Sequence, residues 1–442
     1  MQSAGYRTAA EHIRLEETRS SRSPGRNGGP TSVNDMGNHI KIVERMQFKE
    51  NTVSFGTGRQ FKNIALHCTE AGQRHAFLVA SVSGGKDAAA TARAAYSSIA
   101  DTLYHRHMAI VHERLFGSLS VEAAVLHERK DALFMRQIPA VGPVTYVAGG
   151  PTWGEGFSGA LIHAVSLDDA DDVWTIMDGE TPCGRGWRRS GSAYLMLQNI
   201  QGQAESRPGQ VRDMFDRAKG ILSRNGASYK DVARTWLYLS DILVWYPEFN
   251  KARSEKYGEF GIMPGSGDTS LLLPASTGIG ADMPSGAAAS MDLLAVVEKG
   301  ALASRVRKLS NRKQLDAFLY GSAFSRGTVI EEDDVSLIQV SGTAAIDDQG
   351  VSLYPGDIRS QINCTFDKID TLLNHEGADL RNIAAATVFV KSPEYAPIFW
   401  QMATDRGLAD FPGVCVVADI CRKELLFEID AEAMVRREST CV

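Results

Sequence analysis

The chain has 442 residues, 43% of them hydrophobic and 23% charged, with a net charge of -6. That length exceeds one ordinary core and fits two or three domains, while the negative balance argues against a nucleic acid or a membrane surface as partner and still allows an anionic small molecule in a local basic pocket. Six cysteines, none in a CxxC pair, predict free thiols in a reducing, cytoplasmic setting without structural zinc, and no run reaches the roughly 18 apolar residues of a membrane span.

Residues 1–38, dominated between Thr18 and Asp35 by Ser, Arg, Gly and Pro, have little to bury and predict a flexible tail, with order beginning near His39. HAFLVASVSG then reads as a strand, ARAAYSSIADTLYHRH as a helix with Tyr96, Ile99 and Leu103 on one face, ERLFGSLS as a second strand and GALIHAVS as a closing strand. The same plan recurs after SAYLMLQNI. Val211, Met214, Phe215, Ala218, Ile221 and Leu222 fall at helical spacing, Gly226 stops the helix, Trp236 to Leu239 form a strand, and SMDLLAVV closes the unit. It recurs again after SLIQVSGTAAI, with Ile362, Phe366, Ile369, Leu372 and Leu373 on the helix, Gly377 as the stop, Val388 to Val390 as the strand and LLFEIDAEA as the closing strand.

Three tandem copies follow, at 39–170, 171–303 and 304–442, each a mixed sheet with helices on one face. The helix-free faces need cover, and three copies in one chain supply it for each other as an intramolecular pseudo-trimer of α/β (α+β) class. Sites then belong in the clefts between copies.

In the third copy VSGTAAID, ATVFV, PGVCVV and FEIDAEA stand in an order that resembles the Rid (YjgF) superfamily, which implies small-molecule sites at unit interfaces. Many Rid proteins deaminate enamines and imines with an arginine just before the closing strand. Ile420 occupies that position, and GPVTYVAGG and ASTGIGAD offer no arginine in the other copies. A longer resemblance runs from Cys183 to Ala433. The Gly184 to Leu195 stretch, ARTWLY, PASTGIGA and ADICRKELLFEID look like the chorismatases, which release pyruvate from chorismate.

That resemblance implies a catalytic Glu428 and, seven residues earlier at Cys421, the cysteine of the branch that makes 3-hydroxybenzoate, where the hydrolytic branch has Ala or Gly. It implies no cofactor and no metal. The chemistry agrees with these residue types, since an enol ether with two carboxylates needs a proton donor and fixed cations. Glu428, Asp430 and Glu432 share one strand face; like charge and burial would keep Glu428 protonated, whereas an exposed face would leave three solvated acids. Cys421 is a nucleophile whose thiolate Arg422 favours, or a small core residue. Arg188, Arg189 and Arg234 suit carboxylate recognition, with surface ion pairs as the alternative. Tyr194 and Tyr238 are hydrogen-bond donors or core aromatics, Lys391 stands for a family arginine, and the Ser276 to Asp282 loop, with Thr277 and Gly278, permits close approach to an anion or is a plain turn.

The expected activity is chorismatase-like, on a small anionic, chorismate-like substrate, by a monomeric pseudo-trimer or weak homo-oligomer. A Rid enzyme on another substrate, such as an enamine deaminase, and a non-catalytic small-molecule binder are the alternatives. SGGKD, at Ser83 to Asp87, lacks the residues of a P-loop, His105, His107 and His112 form no accompanied metal pattern, and Glu331 to Asp334 reads as a solvated loop.

Overall fold

The computed structural model describes residues 45–47, 63–71, 74–139, 142–167, 173–189, 191–263, 273–299, 305–309 and 323–437. The expected tail at 1–38 and the expected joints at 170–171 and 303–304 lie outside them.

The first repeat contains β1 (Arg45–Gln47), β2 (Ile64–Ala71), β3 (His75–Val82), α1 (Ala88–His105), β4 (Met108–Gly117), α2 (Glu122–Met135), β5 (Thr145–Ala148) and β6 (Phe157–Ser166). The second has β7 (Val173–Asp178), β8 (Thr181–Arg189), β9 (Ser192–Gln201), α3 (Arg207–Arg224), β10 (Val232–Leu239), α4 (Ile242–Glu259), β11 (Ala275–Gly280) and β12 (Ala289–Val297). The third has β13 (Arg305–Lys308), β14 (Gly327–Glu331), β15 (Val335–Ala344), α5 (Ile358–Asn374), β16 (Ile383–Val390), α6 (Tyr395–Asp405), β17 (Gly413–Val417) and β18 (Phe427–Arg436).

The three six-stranded sheets share one topology, β1-β2-β3-β6-β4-β5, β7-β8-β9-β12-β10-β11 and β13-β14-β15-β18-β16-β17. In each, only the last pair is parallel (β4 with β5, β10 with β11, β16 with β17). The first helix of every repeat starts on a side-chain cap: Asp87 accepts from the Ala90 amide, Ser206 from Gly209 and Asp357 from Ser360. Gly226 and Gly377, at φ +74° and +67°, end the equivalent helices α3 and α5, where a side chain would be strained.

The helical faces legible from spacing are buried against their own sheets: Tyr96, Ile99 and Leu103 in the first repeat, Phe215 and Ile221 in the second, Phe366 and Ile369 in the third. The opposite sheet faces meet at one central core, where Phe77, Trp187, Trp236, Leu337 and Phe389 come together from all three repeats. Both faces of the central strands are therefore covered, which explains their long apolar runs. ERLFGSLS is a strand only to Gly117; β4 begins earlier, at Met108, and Leu119–Val121 form a turn of 3₁₀ helix.

The reading of Glu331 to Asp334 as a solvated loop is corrected at Glu331 and Glu332, while Asp333, in the turn between β14 and β15, is exposed. Glu331 closes β14, and Glu332 is 2% exposed, bonded to His75 Nε2 at 3.0 Å and to the Tyr194 hydroxyl. Glu332 thus finds its partners in the first and second repeats, and Asp334 pairs with Arg74 of the first at 3.3 Å. Asp87 of SGGKD caps α1. The five cysteines among the described residues, Cys68, Cys183, Cys364, Cys415 and Cys421, are free thiols.

Candidate active site

Strand alternation places Glu428. In β18, Phe427, Ile429 and Ala431 join the core under the helices of the third repeat, so Glu428, Asp430 and Glu432 turn to the other face. That face is buried by neighbouring repeats, leaving the three acids 5%, 1% and 5% exposed. Glu428 lies between Ala344 of β15 and Phe389 of β16, next to a bulge in β15 between Val340 and Thr343. Gly342 sits in that bulge, and a Cβ there would collide with Glu428 Oε1. The bulge and the missing side chain make room for the carboxyl group.

Glu428 faces a cleft between the second and third repeats, of about 530 Å³, part of it open to solvent. The second repeat supplies Tyr246 and Arg253 from α4 and Ser276 and Gly278 from β11; the third supplies Arg326 and Cys421 beside Glu428. Tyr246 enters the cleft because α4 is kinked at Trp245, φ -140°, two residues before Pro247. Arg253 is 2% exposed, donates from Nη2 to Asn250 Oδ1 at 2.8 Å and has no hydrogen-bond partner at Nε. Two hydrogen bonds tie the cleft wall across the repeats. The Ser276 amide donates to Ser341 Oγ at 2.8 Å, and the Gly342 amide to Thr277 Oγ1 at 3.1 Å.

Burial pushes the Glu428 carboxyl up, the neighbouring Asp430 charge adds to the rise, and Arg234 and Arg326 oppose it, leaving it at about 8. It is thus an uncharged acid at neutral pH. The strand registers place Ser290 and Gly159 at the equivalent points of β12 and β6, opposite Tyr238 and Phe116 as Glu428 is opposite Phe389. Among these three positions only that of the third repeat carries an acid.

Cys421 and Arg422 also line the cleft. Burial and the nearby Glu428 push the Cys421 thiol up to about 12, outweighing the opposite pull of Arg422. Arg422 is engaged by the Gly350 carbonyl and, at 3.5 Å, by Ser352 Oγ. Gly278 lies in the cleft wall, and Thr277 beside it accepts from Arg234 Nη2 at 2.7 Å. Arg234, 0% exposed, runs beneath the cleft to reach Asp430 at 3.4 Å.

The remaining residues lie elsewhere. Tyr238 is in the central core. Arg188 is exposed over the Trp174 ring, and Tyr194 stacks on Trp187 and donates to Glu332. Arg189 belongs to the same junction, its charge acting on Glu332 and His163. Lys391 donates to the Lys423 carbonyl at 2.9 Å. Arg253, Arg326 and Tyr246 were not legible as site residues, because α4 and the approach to β14 carry no motif and meet only when two repeats pack. Among the described residues no group of three His, Cys, Asp or Glu is arranged to hold a metal ion, and His112 pairs with Asp292 at 3.0 Å. No helix among them is long and apolar enough to cross a membrane.

Residues 322–435 match the family described as Endoribonuclease L-PSP. No curated protein matches the chain. Among solved structures, a chorismatase determined at 1.08 Å resolution superposes with a TM-score of 0.55 at 19% identity, covering 74% of this chain and 93% of that one. The YjgF gene product of E. coli covers 30% of this chain and 99% of its own at 20% identity and a TM-score of 0.24. A YjgF/YER057c/UK114 family member from Mycobacterium tuberculosis covers 28% and 99% at 19% identity and a TM-score of 0.23. The chain has the fold of chorismatase, three tandem Rid-like units closed into a pseudo-trimer.

Proposed function

We propose that the cleft between the second and third repeats cleaves the enol ether of chorismate, releasing pyruvate and giving 3-hydroxybenzoate. The observation that carries the reading is Glu428, a buried carboxyl uncharged at neutral pH in a cleft lined by cations of two repeats, Arg253 from the second and Arg326 and Arg422 from the third. A dicarboxylate ligand is oriented by such cations, and the proton goes from Glu428 to the methylene carbon of the enolpyruvyl group, which makes the ether oxygen a leaving group. Chorismate then divides into pyruvate and 3-hydroxybenzoate with no net uptake of water. Having given its proton, Glu428 is a carboxylate that accepts the Cys421 proton as the sulfur bonds to the ring carbon that has lost pyruvate; the oxygen of the neighbouring ring hydroxyl then displaces the sulfur, its proton restoring the thiol, and the resulting epoxide opens to 3-hydroxybenzoate.

Incubation with chorismate, following pyruvate with a coupled dehydrogenase and the aromatic product by chromatography, tests the reading. Equimolar pyruvate and 3-hydroxybenzoate are expected. No pyruvate release from chorismate, together with hydrolysis of 2-aminoacrylate, would assign the cleft to a Rid-type deaminase instead. Ile420, in place of the deaminase arginine, is fully buried and offers no charge to a carboxylate, which favours the first outcome.

A further inference from the structure

The first repeat contributes none of the residues that line the cleft, yet it sends a buried arginine beneath it. Arg114 of β4 lies 3.5 Å from Asp430 and 3.4 Å from Glu432, and its Nη1 reaches Thr387 Oγ1 at 3.4 Å. Arg234 of β10 approaches Asp430 from the other side at 3.4 Å. Both guanidiniums pack on the Trp236 ring, at 4.9 and 4.6 Å from its centroid. Asp430 is held further by the Thr387 amide at 3.2 Å. One acid of the third repeat is thus clamped by one cation from each of the other two, and the acid stands two residues from Glu428 on the same strand face.

We propose that the Arg114–Asp430–Arg234 triad is a positioning device through which the first repeat governs the protonation of Glu428. A buried carboxylate survives as an anion only where cations compensate it. Two cations in contact compensate Asp430, and its negative charge, about 7 Å along the strand in a medium of low dielectric, disfavours a second anion at Glu428. Burial lowers Arg234 to about 10 against the pull of Asp430, so it remains a cation at neutral pH. The other titratable groups around Glu428 are Arg326 ahead of β14, Tyr246 and Arg253 from α4, and Cys421 and Arg422 ahead of β18. Arg326 and Arg234 pull towards ionisation, so the balance rests on Asp430 and burial.

This inference deepens the proposed reaction, and it rests on Glu428 being the acid there. Its test needs no substrate. The protonated-carboxyl infrared band that is lost in Glu428→Gln is titrated in the ligand-free full chain. Asp430→Asn keeps the acceptor for the Thr387 amide and removes the charge, so the band's midpoint should fall by about one unit or more. Arg114→Met, which removes one of the two cations that sustain the Asp430 charge, should lower it in the same direction, and Arg114→Lys should restore it. A structural role alone would change stability in these variants without moving the midpoint. An unmoved midpoint in Asp430→Asn overturns the proposal, whether or not Arg114→Met folds. Shifted midpoints without turnover of chorismate would remove the proposed reaction and leave the triad, and turnover with unmoved midpoints would do the reverse.

Discussion

Glu428 is a costly residue for the fold because its carboxyl is buried, and that cost changes with pH. Its folded-state value is raised from 4.5 to about 8, so the stability it allows is fully present below the unfolded value and is lost as pH rises towards and through about 8. Glu428→Gln does not titrate. Its melting temperature should therefore exceed that of the wild type by roughly 2 °C or more at pH 8.5, with the gap shrinking towards pH 4, as calorimetry across that window would show. A constant gap would mean that Glu428 is already ionised in the fold. Cys421 divides along different lines. As a neutral thiol beside Glu428 it takes no part in protonating the ether, so Cys421→Ala should keep pyruvate release within about threefold while the organic product moves from 3-hydroxybenzoate towards the dihydroxycyclohexadiene acid. Chromatography of the products decides, and an unchanged ratio would leave Cys421 a packing residue. The alternation of acids and apolar residues along β18 made the Glu428 face legible in the sequence, because strand period alone determines it. Whether that face was wet or buried was not legible, since its cover comes from the first and second repeats, including β4 and β10, far earlier in the chain.

Among elements, the helices were the most legible, because caps and apolar spacing act within one segment, as Ser206 and Gly226 do for α3. Edge strands were not. β7 carries no clean alternation, and β13 reads RVRK with no buried residue. Their pairing is fixed by the sheet they join. Arg253 was not legible for a related reason, since nothing in α4 distinguishes it from a surface helix arginine until the kink at Trp245 and the third repeat enclose it. The bulge of β15 makes a prediction at this scale. Gly342→Ala places a methyl group where the Glu428 carboxyl now lies, so pyruvate release should fall at least about tenfold while the circular dichroism of the fold is retained. Unchanged turnover would mean that the carboxyl has another place to go.

At the scale of the whole molecule, one chain does what identical subunits do in a symmetric trimer, and the repeats have diverged. The position of Glu428 holds Ser290 in the second repeat and Gly159 in the first, so of the three equivalent positions only the one facing the cleft between the second and third repeats carries a carboxyl group. The measurement that bears most directly on this account is kcat for pyruvate release from chorismate by the wild type and by Glu428→Gln between pH 6 and 10. The wild type should hold its rate to about pH 8 and decline above it, as the acid loses its proton. Glu428→Gln should be at least about a hundredfold slower throughout, with KM changed much less. A Glu428→Gln protein that turns over chorismate at the wild-type rate would contradict the assignment of the acid, and with it the assignment of the cleft.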